Sequence, residues 1–264
     1  MRFKELGKTG EKIPVIGLGT WKMGINPKVE LESIKLALRK GIRFIDTAEM
    51  YGTESLVGQA IRDEENVFVA TKVSPNHFHY QDVINACNAS LKRLGIKTID
   101  LYQLHWPNTS IPIGETMRAM EKLVEEGKIR YIGISNFSVE QTVEAQGALK
   151  KNEIVSNQVE YSLLSRNIER DLIPFCDREK ITIIAYSPFA RGHLFGKSKL
   201  IDILERIAAK HKKTPAQVSL NWLIAKKSVV AIPKASDKKH VEENAGAADW
   251  SLEREDLEKI NNSL

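Results

Sequence analysis

Cysteine is scarce in this chain. Among 264 residues only Cys87 and Cys176 occur, far apart and in no C-x-x-C arrangement. Neither a disulfide framework nor a zinc site is therefore indicated, and we expect no bound metal. Scarce and scattered cysteine fits a reducing compartment, so we expect a cytoplasmic protein.

Long apolar runs are missing as well. Residues 1–10 lack the apolar core of a signal peptide, and no run elsewhere in the sequence approaches the roughly 20 residues that a membrane-spanning helix needs. We therefore expect a soluble, unprocessed protein without a membrane partner.

Charge is not concentrated in any one segment. The formal net charge is +5 and the pI is near 9.0, but Lys and Arg are spread over the whole length with acids between them. A nucleic-acid-binding face requires basic residues to cluster, so no nucleic-acid partner is indicated. The even spread favours solubility and small anionic ligands.

The chain does contain a regular alternation of strand and helix patterns. With 42% hydrophobic and 28% charged residues, its composition is that of an ordinary globular protein. Strand patterns that precede helix patterns, without an intervening linker, occur at 15–21, 44–47, 67–73, 99–105, 129–135, 154–159, 181–186 and 229–232. This spacing predicts an α/β fold, a (β/α)8 TIM barrel formed by residues 1–264 as one domain. A doubly wound open sheet is the alternative architecture.

Segments at both ends extend the predicted barrel. Strand patterns at 3–6 and 12–15 surround a glycine-containing turn, which predicts an N-terminal β-hairpin that acts as a lid or an edge. Extra helices are expected from Asp237 to the C-terminus. Gly17 and Gly19 form a G-x-G, but without a third glycine and a following helix they are a weak dinucleotide-binding signal.

Polar or aromatic side chains stand at the end of the predicted strands. They are Asp46, Lys72, His105, Ser135, Asn136, Gln158, Tyr186 and Lys234. In a barrel these strand ends meet around one mouth, where barrel enzymes keep their active sites. Taken singly, each residue has an ordinary alternative role: Lys72 could be a surface lysine, His105 a core imidazole and Gln158 a strand-end cap.

Four of these side chains suggest acid chemistry. Asp46 ends an apolar strand and needs a cation nearby, which Lys72 at the end of the next strand can supply. Lys72 also reaches the Tyr51 hydroxyl, and we expect this cation to lower the pKa of Tyr51. His105 can donate a hydrogen bond to a substrate oxygen. A phenol beside a lysine suits protonation of a developing alkoxide, which indicates carbonyl reduction with a hydride-carrying cofactor.

The chain resembles the aldo-keto reductase family over nearly its whole length. The motifs that carry the resemblance are GLGTWK at 17–22, DTAEMYGTE at 46–54, LHWP at 104–107, IGISNF at 132–137, YSP at 186–188 and IPK at 232–234. The resemblance implies a (β/α)8 fold and broad, NADPH-dependent reduction of aldehydes and simple ketones to alcohols. It also implies a tetrad of Asp46, Tyr51, Lys72 and His105, with Tyr51 as the proton donor.

The same resemblance implies further contacts. Ser135, Asn136 and Gln158 would hold the nicotinamide carboxamide and Tyr186 would stack on the ring. The full set of implied cofactor-binding residues is Thr20, Ser135, Asn136, Gln158, Tyr186, Ser187, Lys234, Ala235, His240, Glu243 and Asn244. The implied substrate-binding residues are Trp21, Met50 and Trp106. We expect a small carbonyl compound as the partner and a monomeric protein.

Two positions depart from the family pattern. The family commonly has Ser or Thr where Ala235 stands and Arg where His240 stands, and both serve the 2′-phosphate of NADPH. Neutral His cannot form the bidentate phosphate contact of Arg, and Asp237 nearby favours a ribose hydroxyl. NADPH is the expected cofactor, with NADH or dual use left open. The chain also ends soon after its last helix, which leads us to expect an open substrate pocket.

Two other functions compete with reduction. Lys72 at a barrel strand end could form an imine, as in Schiff-base aldolases or lyases, although pairing with Asp46 keeps a lysine charged and non-nucleophilic. Alternatively, the chain could keep the barrel and the cofactor and serve as a sensor or subunit, as some members of the family do. The intact tetrad favours the reductase.

Overall fold

The computed structural model describes residues 1–263. The chain opens with an antiparallel hairpin of β1 (Phe3–Glu5) and β2 (Lys12–Pro14). The strands that follow are β3 (Leu18–Gly19), β4 (Phe44–Asp46), β5 (Phe68–Val73), β6 (Ile99–Leu104), β7 (Ile129–Ser135), β8 (Ile154–Glu160), β9 (Thr182–Tyr186) and β10 (Val229–Ala231).

Helices lie between these strands and after the last of them. They are α1 (Pro27–Arg39), α2 (Glu54–Ile61), α3 (Tyr80–Leu94), α4 (Ile113–Glu125), α5 (Val139–Gly147), α6 (Leu172–Glu179), α7 (Lys199–His211), α8 (Pro215–Ile224), α9 (Lys238–Ala245) and α10 (Arg254–Asn261). Short 3₁₀ helices cover Glu49–Tyr51, Pro75–His77, Asn167–Glu169 and Ala190–Phe195. Within residues 1–263, no helix combines the length and the apolar character needed to cross a bilayer.

Strands β3 to β10 form one parallel sheet in chain order, and the sheet closes on itself. Single bridges join Ile16 to Ala231 and Gly19 to Lys234, and the Gly17 amide donates to the Ala231 carbonyl at 2.8 Å. The prediction of a (β/α)8 barrel with an N-terminal hairpin is therefore confirmed, and the open-sheet alternative is wrong.

Gly17 and Gly19 permit this closure. A Cβ atom on Gly19 would lie 2.8 Å from the Ile232 carbonyl oxygen, and one on Gly17 would lie 3.0 Å from Ile232 Cγ2 as well as 2.7 Å from a ring carbon of Phe44. Real Cβ atoms do not approach neighbours so closely, so any larger residue would push the first and last strands apart. The G-x-G pattern thus has a packing role where the barrel closes.

The side chains that point into the barrel differ between its two ends, which we call the floor and the mouth. An apolar cluster in the interior includes Phe44, Phe68 and Leu101, near the starts of β4, β5 and β6. Because side chains at every second position share one face, Asp46 and Lys72 continue the same rows toward the carboxyl ends. The interior is therefore apolar at the amino ends of the strands and polar at the carboxyl ends.

The hairpin forms the floor of the barrel. Leu6 and Ile13 are fully buried in the interior apolar cluster, and the Gly7 amide donates to the Thr182 hydroxyl at 2.9 Å. Since Thr182 begins β9, the hairpin lies at the end opposite the predicted site. The expectation that it acts as a lid or an edge is therefore wrong: its apolar side chains close the barrel from below.

Two helices are additional to the eight that surround the barrel. Helix α8 packs on β10 and α9, whereas α7 packs on α8 and α10. Helices α7 and α10 are thus additional to the eight that follow the strands. Capping boxes of Ser138 with Gln141 and of Thr214 with Gln217 begin α5 and α8.

Truncation of a buried side chain of the hairpin should destabilise the protein. Ile13 is fully buried, whereas Ile25 is 86% exposed. We expect Ile13→Ala to lower the free energy of unfolding by about 2–5 kcal/mol, because it deletes buried methyl groups and leaves a cavity. Ile25→Ala removes the same atoms from a solvent-exposed position and should change it by less than about 0.5 kcal/mol. Urea unfolding followed by circular dichroism measures both, and equal losses would contradict the floor role of the hairpin.

Candidate active site

A cavity of about 590 Å³ lies at the carboxyl ends of the barrel strands. We call it the mouth cavity. Of the residues predicted for the site, it is lined by Trp21, Asp46, Met50, Tyr51, His105, Trp106, Ser135, Asn136, Gln158, Tyr186, Ser187 and Lys234. The tertiary structure therefore brings most of the predicted residues to one place, although they span more than two hundred positions of the chain.

Asp46 and Lys72 form a buried ion pair beneath this cavity. The Lys72 ammonium donates to Asp46 Oδ2 at 2.7 Å and to the Thr47 carbonyl at 2.8 Å, and both side chains are almost fully buried. Burial favours the neutral amine, but the negative charge of Asp46 and the Tyr51 hydroxyl outweigh it and raise the pKa of Lys72. Lys72 therefore stays charged at neutral pH.

Tyr51 lies between Lys72 and His105. Its hydroxyl is 3.4 Å from Lys72 Nζ and 3.5 Å from His105 Nε2. Burial raises the pKa of Tyr51 above its ordinary value, and Lys72, which acts in the opposite direction, only offsets part of this rise. The expectation that the pKa of Tyr51 is lowered is thus wrong in net terms, because loss of hydration outweighs the nearby cation.

His105 is neutral in this site. Burial together with the positive charge of Lys72 lowers the pKa of His105 to about 3. Its Nδ1 atom is buried and has no hydrogen-bond partner among residues 1–263, while Nε2 faces Tyr51. A neutral imidazole in this position can offer one N–H group without adding a second positive charge beside Lys72.

The opposite wall of the cavity carries amides and an aromatic ring. The Asn136 side chain donates to the His105 carbonyl at 3.1 Å and accepts from the Tyr186 hydroxyl at 2.9 Å. The Ser135 hydroxyl donates to the Gln158 carbonyl at 2.9 Å. These bonds join β7, β8 and β9, so the polar groups of this wall are held in place by the barrel itself.

Three large apolar side chains surround the opening. Trp21, Met50 and Trp106 line the cavity and are between 42% and 60% exposed. Exposed apolar groups of this size around a polar cavity commonly mark a ligand-binding site. Their predicted role in binding a substrate remains a prediction.

Cations without acidic partners also line the cavity. Among residues 1–263, Lys22, Arg191 and Lys234 face it and take part in no ion pair, and the charged ends of Lys22 and Arg191 lie 4.5 Å and 5.7 Å from the centre of the Trp21 ring. Positive charges that no carboxylate neutralises suit an anionic ligand. Sequence reasoning assigned no site role to Lys22 or Arg191, although both lie in segments that follow barrel strands.

Other predicted cofactor-binding residues do not line the cavity. Thr20 is fully buried and its hydroxyl donates to the Asp46 carbonyl at 3.0 Å. Ala235 is buried, and the exposed His240 pairs with Asp237 at 2.6 Å. Glu243 and Asn244 lie on α9. Their contacts with a cofactor remain predictions. No group of three or more His, Cys, Asp or Glu within residues 1–263 is arranged to hold a metal ion.

The arrangement has the parts that proton donation to a bound oxygen requires. A phenol, a charged amine and a neutral imidazole lie together at the base of a cavity whose walls carry amides and aromatic rings. The phenol keeps its proton at neutral pH, and the amine can stabilise the phenolate that remains after the proton leaves. Sequence reasoning missed Gln103, which lies beneath this group and contacts Asp46.

Comparisons with known proteins identify the family of the chain. The sequence model of the Aldo/keto reductase family matches residues 15–264. Methylglyoxal reductase YeaE of Escherichia coli (strain K12) is 40% identical over 253 residues, which are 93% of this chain and 89% of that protein. Glyoxal reductase of Bacillus subtilis (strain 168) is 38% identical, over 95% of this chain and 89% of that protein.

Solved structures give the same result. The crystal structure of the thermostable aldo-keto reductase Tm1743 with the inhibitor epalrestat matches with a TM-score of 0.95 at 41% identity, over the full length of both chains. The aldo/keto reductase of Klebsiella pneumoniae in complex with NADP and acetate matches with a TM-score of 0.89 at 38% identity, over 99% of this chain and 95% of that one. With the family model, the relatives and the fold in agreement, this chain belongs to the aldo/keto reductase family of oxidoreductases.

Proposed function

We propose that Tyr51 donates the proton in the reduction of aldehydes and simple ketones to alcohols by this chain, with NADPH as the cofactor. The observation that carries the proposal is the position of the Tyr51 hydroxyl, 3.4 Å from Lys72 Nζ and 3.5 Å from His105 Nε2 at the base of the mouth cavity. A proton donor must lie within reach of the substrate oxygen, and this cavity is where that oxygen would lie.

The cavity lining fits a nicotinamide dinucleotide. Tyr186 offers a flat aromatic face, Asn136 and Gln158 offer amide groups, and Lys22, Arg191 and Lys234 offer positive charge that no acid neutralises within residues 1–263. An aromatic face, hydrogen-bonding amides and cations match the ring, the carboxamide and the phosphates of such a cofactor. When bound, NADPH supplies the hydride.

The side chains of the protein orient the substrate and supply the proton. His105, neutral at physiological pH, donates an N–H to the substrate oxygen and orients it. Tyr51 gives its proton to the alkoxide that forms there. Lys72, held by Asp46 on the far side, stabilises the resulting phenolate. Trp21, Met50 and Trp106 form the apolar surface on which the remainder of the substrate lies.

The open rim supports a broad substrate range. Met50 is 60% exposed and Trp106 is 48% exposed, so carbonyl compounds of different sizes fit between them. One relative of this chain is a methylglyoxal reductase and another is a glyoxal reductase. We include both compounds among the substrates to be tested.

The buried position of Lys72 argues against an imine mechanism. The amine is fully buried, stays charged, and has Asp46, the Thr47 carbonyl and Tyr51 around it. An imine-forming lysine must present a neutral amine to the substrate. Reduction therefore accounts for the arrangement better than Schiff-base chemistry does.

Tyr51→Phe should separate proton donation from cofactor binding. The change removes only the hydroxyl, so turnover of an aldehyde panel should fall by about 10²- to 10⁴-fold while the dissociation constant of NADPH stays near that of the wild type. NADPH oxidation at 340 nm and quenching of tryptophan fluorescence measure the two quantities.

The same assay, applied to the variant and to the wild type, also tests the alternative that the chain is a sensor without turnover. Turnover by Tyr51→Phe within a few-fold of the wild type would show that Tyr51 is not the donor. A wild-type protein that oxidises neither NADPH nor NADH with any aldehyde, methylglyoxal and glyoxal included, would contradict the reductase itself.

The lowered pKa of His105 should appear in the pH dependence of stability. Between pH about 6.5 and about 3 the unfolded chain binds a proton at His105 that the folded chain does not, so stability falls as the pH falls across this window. His105→Gln removes this linkage. Between pH 6.5 and pH 5.0 the variant should lose about 1–2 kcal/mol less unfolding free energy than the wild type. Urea unfolding at both pH values tests this, and parallel losses would show that His105 is not held neutral.

His240→Arg should strengthen NADPH binding. His240 lies 2.6 Å from Asp237 and is exposed at the start of α9, where the family commonly has an arginine. A guanidinium there would form a charge-assisted contact with the 2′-phosphate, so the dissociation constant of NADPH should fall about tenfold. NADH lacks this phosphate and serves as the control ligand. Fluorescence titration that gave equal tightening for both dinucleotides would contradict a 2′-phosphate site at this position.

A further inference from the structure

The Asp46 carboxylate has a second set of partners besides Lys72. Its Oδ2 atom accepts from Lys72, while its Oδ1 atom accepts from Gln158 Nε2 at 2.7 Å and from Gln103 Nε2 at 3.4 Å. Gln103 and Gln158 are both almost completely buried. A buried carboxylate needs hydrogen bonds to both oxygens, and these amides supply them on the side that Lys72 does not reach.

The Gln103 side chain lies in the barrel interior, beside Lys72 on the neighbouring strand. In the strand register it lies between Lys72 on β5 and Gly133 on β7. A Cβ atom on Gly133 would approach Gln103 Cγ to 2.8 Å, so only glycine at that position leaves room for the glutamine side chain. The barrel thus accommodates a polar side chain at the point where it meets Asp46 and Gln158.

The bonds within this group determine which way the Gln158 amide faces. Its Nε2 donates to Asp46 Oδ1, and Gln103 Oε1 accepts from the same Nε2 at 3.4 Å. If the Gln158 amide were reversed, its oxygen would face the carboxylate oxygen and the Gln103 oxygen, and all three are acceptors. Gln158 also lines the mouth cavity. With Nε2 engaged below, the atom left for a ligand is Oε1, an acceptor.

We propose that Gln103 is a positioning residue that holds Gln158 with its Nε2 toward Asp46 and its Oε1 available to the carboxamide N–H of the nicotinamide. This inference rests on the proposed function. It links the cofactor side of the site to the tetrad through Asp46, because one Gln158 amide serves both. It also predicts a specificity: a ligand that carries an N–H donor at this point is preferred over one that carries only acceptors.

A pair of dinucleotides tests this specificity directly. NADP⁺ carries the carboxamide, whereas nicotinic acid adenine dinucleotide phosphate carries a carboxylate in its place and has no N–H to donate. Gln103→Met keeps the length of the side chain and removes its polar atoms, so that Asp46 Oδ1 alone still accepts from Gln158 Nε2 and the orientation of the Gln158 amide is less strictly fixed. Fluorescence titration gives the dissociation constant of each ligand for each protein.

The expected result is a change in the ratio of the two constants. The wild type should prefer NADP⁺ by about tenfold or more, since an acceptor facing a carboxylate costs the desolvation of both groups. In Gln103→Met this preference should shrink by about fivefold or more. The adenosine fragment 2′,5′-ADP, which lacks the nicotinamide, should bind both proteins equally.

Ser156→Ala is the matched control. Ser156 is also buried, lies beside Gly133 in the register, and has a hydroxyl without a partner in residues 1–263, yet it has no hydrogen bond to Asp46 or Gln158. This variant should keep the wild-type ratio. If Gln103→Met is not folded by circular dichroism, Gln103→Leu removes the same polar atoms with a different shape.

The outcomes separate this inference from the proposed function. An unchanged ratio in folded Gln103→Met would overturn the positioning role, and so would weaker binding of 2′,5′-ADP to the same extent as NADP⁺, which would indicate a general packing defect. A wild-type protein that binds none of the three ligands would instead contradict the proposed cofactor site.

Discussion

The buried ion pair of Asp46 and Lys72 is the interaction on which the site depends. Two unit charges removed from water cost several kcal/mol each unless every oxygen and proton finds a partner, and breaking such a pair costs more than forming it gains. Here the partners come from two parts of the barrel: Thr47 and Tyr51, in the segment after β4, contact the lysine, and Gln158, on β8 across the interior, contacts the carboxylate. These partners lie within reach because the carboxyl ends of all the parallel strands lie at one face of the barrel.

This requirement explains the different character of the two ends of the barrel. At the amino ends of the strands the interior is filled by apolar side chains, and the hairpin adds Leu6 and Ile13 to them. At the carboxyl ends the same interior rows carry charge and amide groups, which are tolerable only where a cavity opens and the groups can satisfy one another. Within the barrel interior, apolar packing is thus concentrated at the floor and the reactive groups at the mouth.

Burial and charge act against each other at Tyr51. A cation near a phenol favours the phenolate, while loss of hydration disfavours it, and in this site the second effect is the larger. The result is a phenol that keeps its proton until an acceptor with sufficient basicity, such as an alkoxide, lies beside it. The same burial, with Lys72 nearby, keeps His105 neutral.

Strand and helix order, the barrel and the polar side chains at the strand ends, Asp46, Lys72 and His105 among them, followed from the order of residues alone, because a period of two along each strand and a polar residue at its end are local properties. Trp21, Met50 and Trp106 were expected in the cavity only from the resemblance to the aldo-keto reductase family. The position of the hairpin, the role of Gln103 and the net pKa shift of Tyr51 did not follow from the order of residues. Each depends on groups far apart in the chain: Gln158 meets Asp46 across 112 positions. Contacts of that separation, and the burial that sets a pKa, exist only once the barrel has closed.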